Sequence, residues 1–296
     1  MFRYCKSIED VGVAGGEILT ESMGLSYTRL KKMSYVKLPK VSYSAKSTYD
    51  WCPRQYKYLY INRYPADKPV YPATIVGIGI HALINQMYRE KIFTLPFLRE
   101  NWSRHLQLAI REHKFPTSTI QIDAMLKMGR ETVDNFYRMA DKEGILIPAL
   151  KTEWHFKITL DNFVLSGIVD LVILLRGRIC VIDFKTGLHD LTQHEVDDNE
   201  QLTIYAFAVW KLLGIDDAKV GFFYPRLGSI KYSERTAKNY NKLIEDTKAM
   251  LVKIAQKQFA PTYKNCWMCR YKVRCTAEDN AIRSRMDISW FYQEPK

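Results

Sequence analysis

Two short apolar runs, rich in β-branched residues and each carrying a carboxylate, constrain the fold of this sequence more than any other feature. They are residues 167–170 and 181–187, and the second contains Asp183 followed two positions later by Lys185. Runs of this kind favour strands, and residues two apart in a strand point to the same face of a sheet. We therefore predict neighbouring antiparallel strands that bring Asp170, Asp183 and Lys185 together.

Two carboxylates and a lysine are the groups that metal-assisted hydrolysis of a phosphodiester requires. Asp170 and Asp183 supply oxygen ligands, which suit Mg²⁺ or Mn²⁺ better than Zn²⁺. Phe184 directs its side chain into the core, while its backbone carbonyl can face the ion. Lys185 is predicted to orient the attacking water and to help remove its proton. The alternative is a surface ion pair on an edge strand, and the apolar neighbours of Asp183 argue against it.

The pattern formed by Asp170 and the Asp183-Phe184-Lys185 triplet resembles the core motif of the PD-(D/E)xK nucleases. Further residues resemble the RecB-like branch of that superfamily, including its iron–sulfur members. They are a Q-x3-Y motif, an upstream histidine and a spaced set of cysteines, here Gln201 and Tyr205, His81, and Cys52, Cys266, Cys269 and Cys275. The resemblance extends from about Ser44 to Cys275, with Val169 replacing the usual proline before the first aspartate. It implies an α/β, restriction-endonuclease-like mixed sheet core with a helical N-terminal half and an Fe–S-stapled C-terminal segment.

The resemblance also assigns roles to individual residues. It implies that His81 is a metal ligand together with Asp170, Asp183 and Phe184, and that Gln201 joins the catalytic group. Gln201 and Tyr205 lie one helical turn apart on the same face, and the resemblance implies that both contact DNA, where the tyrosine ring can stack on a base. Glu153 aligns with an acid that often precedes the core strands, and a surface ion pair is an equal alternative for it.

The cysteines suggest a cluster that joins distant parts of the chain. Cys266, Cys269 and Cys275 share one short segment, whereas Cys52 lies near the N-terminus. The resemblance implies a [4Fe–4S] cluster held by these four thiolates, acting as a cross-link between distant segments. A zinc site and four unrelated buried cysteines are the alternatives. Of the other cysteines, Cys180 is expected in the core and Cys5 has no assigned role.

The composition points to a polyanionic partner. The 296 residues carry a formal net charge of +12, with a pI of about 9.3, which favours phosphate contacts, although a soluble basic surface is the simpler alternative. No apolar run is long enough for a transmembrane helix, and the N-terminus lacks the apolar core of a signal peptide. We therefore expect a cytoplasmic protein without membrane association and without a disulfide framework.

The spacing of apolar residues changes near Lys151, from helical periodicity to strand-like alternation. We predict an N-terminal arm at 1–40, a helical region with Cys52 and His81 at 41–150, the nuclease core at 151–235, and a C-terminal helix with the cluster segment at 236–296. Helices are predicted at 44–63, 75–89, 97–113, 119–141, 192–213 and 237–258. Strands are predicted at 154–160, 163–175, 178–184, 219–225 and 230–233. The Arg176-Gly177 pair between two of these strands is a hairpin signal.

Taken together, the residues and the resemblance predict a metal-dependent DNA exonuclease acting on single-stranded DNA or DNA ends, in recombination, repair or replication. A structure-specific endonuclease is one alternative. Another is a DNA-end-binding or processing subunit of a recombination or CRISPR adaptation assembly, with residues 1–40 contacting a protein partner. The sequence leaves a homo-oligomer open. It contains no phosphate-binding loop of the G-x4-G-K-[ST] type, which argues against a built-in ATPase or helicase.

Overall fold

A six-stranded mixed sheet organises the computed structural model, which describes residues 38–67, 71–264 and 266–278. Cys5 and nearly all of the predicted arm at 1–40 lie outside the described residues. The strands are β1 (Lys40–Val41), β2 (Lys151–Thr159), β3 (Val164–Leu175), β4 (Arg178–Phe184), β5 (Lys219–Tyr224) and β6 (Ser229–Ser233).

Strand β3 pairs with three other strands and lies at the centre of the topology. It is parallel to β1 and antiparallel to β2 and β4. Beyond β4, the parallel strand β5 and the antiparallel strand β6 complete the sheet. The turn from β3 to β4 uses Arg176 at φ 51° and Gly177 at φ 80°, and two successive positive φ values suit the right-handed twist of a tight hairpin. The predicted hairpin and the predicted bounds of β4 are therefore confirmed.

Helices cover both faces of the sheet. They are α1 (Tyr43–Trp51), α2 (Pro53–Tyr56), a π-helix (Lys57–Ile61), α3 (Pro72–Glu90), α4 (Leu95–Glu112), α5 (Thr119–Glu143), α6 (Gln193–Asp197), α7 (Glu200–Leu213), α8 (Ala237–Ala255) and α9 (Lys272–Glu278). One apolar core lies between the sheet and α3, α4 and α5, and includes the fully buried Trp102. A second core lies between the opposite face and α7 and α8, and includes Phe207 and Tyr240. Among the described residues, no helix combines the length and apolar character that crossing a bilayer requires.

The predicted helix at 44–63 is wrong in its start and in its continuity. Ser42, rather than Ser44, caps α1, and its hydroxyl accepts a hydrogen bond from the Ala45 N–H at 3.2 Å. The helix ends at Cys52, whose backbone is extended (φ −161°, ψ 109°). Pro53 follows directly, and a residue before proline is disfavoured in the helical region.

The predicted helix at 192–213 is also interrupted. Thr192 and Glu195 form a capping box at the start of α6. Asn199 then caps α7, accepting hydrogen bonds from the Gln201 and Leu202 N–H groups. Short polar side chains at these positions favour a new helix start over continuation, and the break fixes where α7 begins over the sheet.

Candidate active site

Strand β4 delivers Asp183 to an interior position between β3 and β5. Its side chain is 4% exposed and faces α7, whereas the neighbouring Phe184 packs on the other face against Phe136 and Phe223. Asp170 on β3 accepts a hydrogen bond from the Phe184 backbone N–H at 2.8 Å. The two carboxylates therefore lie on adjacent strands, as the sequence predicts.

Lys185 and Gln201 form a hydrogen-bonded network around Asp183. The Lys185 Nζ lies 2.7 Å from Asp183 Oδ2 and donates to Gln201 Oε1 at 2.7 Å. Gln201 Nε2 donates to Asp183 Oδ1 at 2.9 Å, and Tyr205 Oη donates to the same oxygen at 3.0 Å. One carboxylate oxygen is thereby fixed by α7, while the other faces the lysine. Within the described residues Oδ2 accepts no hydrogen bond of good geometry, so the short contact with Lys185 is an ion pair.

Burial dominates the electrostatics of this network. It raises the pKa of Asp183; the nearby Lys185 opposes the rise and the Asp170 charge adds to it. Burial, reinforced by the Asp183 charge, also raises the pKa of Tyr205. Tyr205 therefore stays protonated and acts as a hydrogen-bond donor to Asp183 near neutral pH.

Gln201 and Tyr205 lie inside the protein and not on an open surface. Their side chains are 8% and 5% exposed, and the Tyr205 ring packs edge-to-face against Phe156 with centroids 6.3 Å apart. Stacking of a base on this ring requires the packing around Phe156 to change. The polar contacts of both side chains are with Asp183, Lys185 and each other.

Helix α3 places His81 beside Asp170. The His81 Nδ1 lies 3.4 Å from Asp170 Oδ2, and its ring meets Phe184 edge-on. Burial lowers the pKa of His81, but the hydrogen bond and charge of Asp170 outweigh it, so the pKa lies above its ordinary value. The predicted histidine is thus brought to the predicted aspartate.

The donor set fits a hard divalent cation in its chemistry. It offers two carboxylates, an imidazole and the Phe184 carbonyl, and within the described residues the buried Asp183 Oδ2 contacts the Lys185 ammonium without a regular hydrogen bond. Oxygen-rich sets of this kind suit Mg²⁺ and Mn²⁺. Among the described residues, however, no three His, Cys, Asp or Glu side chains converge on a single ion position. Asp170 instead contacts His81 and the Phe184 N–H, so cation binding requires these side chains to adjust.

Glu153 stands at a backbone irregularity directly opposite Asp170. Its flanking residues pair in register, Thr152 with Leu171 and Trp154 with Val169, but the position between them is unpaired. Glu153 has a left-handed backbone with φ 41°, which is uncommon for a residue with a side chain. It lines cavities with His81 and Asp170. Strain of this kind clusters at functional sites. It therefore favours a role for Glu153 beside the site over a surface ion pair.

Arg235 is a supporting residue that the sequence does not indicate. It is 6% exposed, and its guanidinium donates to the Val196 and Asn199 carbonyls and to Thr203 Oγ1, at 2.8, 3.1 and 2.8 Å. These bonds hold the junction that precedes Gln201. No local pattern distinguishes Arg235 from a surface arginine, because its partners belong to another part of the chain.

The four predicted cysteines line one cavity. Cys52, Cys266, Cys269 and Cys275 surround it, and Arg54 approaches Cys275 Sγ at 3.8 Å across 221 positions of sequence. Burial raises the thiol pKa of Cys266, Cys269 and Cys275, and the proximity of the other sulfurs adds to it. Cys180 is buried in β4, as expected.

The family model of the PD-(D/E)XK nuclease superfamily matches residues 40–276, most of the chain. This protein therefore belongs to the PD-(D/E)XK nuclease superfamily, and its mixed sheet flanked by helices is consistent with that fold.

Individual relatives are more distant. The Gene 69 protein of Mycobacterium phage D29 is 30% identical over 110 residues, which is 35% of this chain and 38% of the phage protein. The chain thus spans well under half the length of that curated relative. Among solved structures, the "Putative exonuclease" of Eubacterium rectale has a TM-score of 0.49 at 12% identity, over 93% of this chain and 97% of that one. The protein SSO0001 has a TM-score of 0.32 at 17% identity, over 79% and 95%. The assignment rests on the family model.

Proposed function

We propose that this protein is a metal-dependent DNA exonuclease that acts on single-stranded DNA or DNA ends, in recombination, repair or replication. One observation carries the proposal. In a chain of the nuclease superfamily, the buried Asp183 forms an ion pair with Lys185, whose side chain is 37% exposed, and Gln201 bridges the two residues. A lysine beside an aspartate within hydrogen-bond reach is the arrangement that water activation next to a phosphate requires.

His81, Asp170, Asp183 and the Phe184 carbonyl would hold Mg²⁺ or Mn²⁺. When bound, the cation neutralises charge on the scissile phosphate and lowers the pKa of water. Asp183 Oδ2, which contacts the Lys185 ammonium and is not held by α7, is the oxygen of that residue placed to act as a ligand. Its other oxygen stays bound to α7, so the carboxylate keeps its orientation.

Lys185 orients the attacking water in this proposal and helps remove its proton. Its ammonium is held between Asp183 and Gln201, at 2.7 Å from each, so only a small part of its hydrogen-bonding capacity remains for water. Gln201 and Tyr205 act through this pair as positioning residues. Direct contact of either one with DNA stays a prediction, since it requires both buried side chains to become accessible.

The net charge of +12 supports DNA as the substrate, since neutralising phosphates releases counterions. An open cleft of about 590 Å³ borders His81, Glu153 and Thr186 and leaves room for a strand next to the proposed metal ligands. The cytoplasmic location, a protein partner bound through residues 1–40 and the oligomeric state stay predictions.

The test is cleavage of linear single-stranded DNA, labelled in turn at each end, with Mn²⁺ or Mg²⁺. We expect Lys185→Ala to reduce the rate by about 10²–10⁴-fold, the contribution of a positioned proton-transfer group. Lys157→Ala, on the exposed side of β2, is the matched control and should keep the wild-type rate. Equal rates for Lys185→Ala and wild type would remove the proposed role of the lysine.

The same assay separates the alternatives. Cleavage of circular single-stranded DNA would indicate an endonuclease. Tight binding of DNA ends without cleavage by metal-loaded wild type would indicate an end-binding or processing subunit.

We further propose that Cys52, Cys266, Cys269 and Cys275 hold a [4Fe–4S] cluster as four thiolate ligands. The cavity that all four cysteines line supports a common group held by the four side chains. Visible absorbance with iron and sulfide analysis tests this. We expect Cys52→Ser to lose the absorbance and Cys180→Ala to retain it. A colourless wild type with stoichiometric zinc would replace the cluster by a zinc site.

A further inference from the structure

A second polar cleft lies between α3 and α4, beyond the proposed metal ligands. Its volume is about 490 Å³, within the ~300–1,000 Å³ typical of ligand sites. Asn85 and Arg89 of α3, together with Arg104 and His105 of α4, form much of its lining. It is large enough for a nucleotide-sized group and polar enough to favour one with charge.

This cleft adjoins the one beside His81. Ala82 and Glu153 line both, so a strand can pass from one to the other along the exposed side of α3. His81 and Arg89 are eight residues apart on this helix, which is about 12 Å at ~1.5 Å per residue. That distance equals roughly three stacked nucleotides at ~3.4 Å each.

The two arginines of the cleft differ from Arg99 in their contacts. Within the part of the chain that the structure describes, neither Arg89 nor Arg104 forms an ion pair or a side-chain hydrogen bond. Arg99, by contrast, binds Asp134 through two hydrogen bonds. Arg89 and Arg104 are also exposed, so they can meet a ligand without first breaking an internal contact.

Glu90, which also lines this cleft, accepts a hydrogen bond from a glutamine and forms no ion pair with either arginine in the described residues. Gln86 donates a hydrogen bond to Glu90 at 2.8 Å and is itself bonded to His105 Nε2 at 2.5 Å. Glu153 lies at the junction with the first cleft, next to the proposed metal ligands. The Asn85 Oδ1 is buried without a hydrogen-bond partner in the described residues, so its amide group is not fixed by an internal bond.

We propose that this cleft binds a backbone phosphate of the substrate strand, about three nucleotides from the cleaved bond, through Arg89 and Arg104. Guanidinium groups match the geometry of phosphate oxygens and bind them by charge-assisted hydrogen bonds. The inference rests on the proposed function and assigns to its substrate a second contact, outside the reaction centre. A strand held at two points has its scissile phosphate positioned more tightly than one held by the cation site alone.

The experiment measures binding of a single-stranded oligonucleotide in EDTA, where cleavage does not interfere, over a range of salt concentrations. Wild type is compared with the double variant Arg89→Ala/Arg104→Ala. Each phosphate contact on a single strand contributes ~0.7 to the slope of log K against log salt, so losing this one contact reduces that slope by about 0.7. The control Lys248→Ala/Lys253→Ala removes the same charge from exposed positions on α8, on the opposite face of the sheet, and should keep the wild-type slope.

The outcomes separate this inference from the function on which it rests. If wild type does not bind the oligonucleotide, both are overturned. If wild type binds and the arginine variant keeps its slope, or changes no more than the lysine control, only the cleft assignment is overturned. Competition by inorganic phosphate beyond that of chloride at equal ionic strength would identify a free-anion site instead of a strand contact. Should the alanine variant fail to fold, Arg89→Gln/Arg104→Gln tests the same contacts with less loss of packing.

Discussion

The side-chain oxygen of Gln201 accepts a hydrogen bond from the Lys185 ammonium at 2.7 Å. The amide nitrogen of the same residue donates to Asp183. A planar amide is well suited to this position because it offers an acceptor to a cation and a donor to a carboxylate. Helix α7 thereby holds both members of the D-x-K motif in one geometry.

Replacing this amide should reduce the rate without removing any proposed ligand. We expect Gln201→Ala to lower the cleavage rate about 10–100-fold, the usual effect of losing a partner that orients metal ligands. Gln201→Glu keeps the acceptor for Lys185 but places a second charge against Asp183, so we expect a comparable or larger loss. Single-turnover cleavage measures both. A Gln201→Ala variant with the wild-type rate would show that the bridge has no part in the reaction.

Tyr205→Phe separates positioning from base stacking. The ring is retained and only the hydroxyl that binds Asp183 at 3.0 Å is lost. We expect unfolding to become easier by about 1 kcal/mol, the net value of one buried hydrogen bond, and the rate to fall while DNA affinity stays unchanged. Denaturation, single-turnover cleavage and oligonucleotide binding check the three parts. Unchanged kinetics with weaker binding would contradict the positioning role.

Asp183→Asn should abolish cleavage and make the folded protein more stable. Burial raises the pKa of Asp183, so the stability it contributes below its unfolded pKa of 3.8 is lost as the pH rises through the raised value. At pH 7 the ionised group therefore destabilises the fold. We expect Asp183→Asn to unfold at a higher temperature than wild type in EDTA and to cleave no DNA.

A metal titration completes this test. Mn²⁺ should raise the unfolding temperature of wild type, since a ligand that binds only the folded state stabilises it, and should leave Asp183→Asn unchanged. The exposed Asp216→Asn serves as the control and should follow wild type in both conditions. If Mn²⁺ raises the unfolding temperatures of wild type and Asp183→Asn equally, the Asp183 carboxylate is excluded as a ligand.

Glu153 allows the backbone and the carboxylate to be tested separately. Its left-handed backbone costs ~1–2 kcal/mol, and a glycine relieves that cost while losing ~0.5–1 kcal/mol to chain entropy. We expect Glu153→Gly to be about as stable as wild type or slightly more so. Glu153→Gln keeps the strain and removes the charge. If the carboxylate serves the site, both variants lose activity, whereas a purely structural role would leave Glu153→Gln fully active.

The pH dependence of stability should reflect His105. Burial lowers its pKa below 6.5, and the Arg104 charge adds to this. The stability that it contributes is present above pH 6.5 and is lost as the pH falls through the lower, folded-state value. We expect His105→Gln to show a smaller difference in unfolding free energy between pH 7.5 and 5 than wild type, as measured by urea denaturation. An identical difference in both proteins would contradict the lowered pKa.

The fold could be predicted where the signals are local. The bounds of β4 follow from a continuous apolar run between a turn signal and a polar loop, and Asp183 and Lys185 share a face because strands alternate. The break between α6 and α7 is not predicted, because a single helix is assigned across residues 192–213. It depends on hydrogen bonds that the Asn199 side chain accepts from the Gln201 and Leu202 N–H groups, which compete with continuation of the helix.

The residues of the site likewise fall into a group that local sequence patterns predict and a group that they do not. Asp170, Asp183 and Lys185 are adjacent through strand pairing, which the sequence contains. The burial of Tyr205, the backbone of Glu153 and the support given by Arg235 depend on contacts between distant segments, for which no local pattern exists. Among the residues that hold the site in place, the sequence indicates Gln201 and Tyr205 but not Arg235.

Helix α1 is fastened by the chain that follows α8. The Tyr49 hydroxyl donates to the Gln258 carbonyl, and Thr262 Oγ1 donates to the Trp51 carbonyl. The first of these pairs is separated by 209 residues, which a ribosome at ~5–20 residues per second needs about 10–40 s to synthesise. During that interval α1 lacks these two hydrogen bonds, so the packing around it is complete only after residues 258–262 have been synthesised, and a chain that stops before them leaves this end of α1 without these bonds.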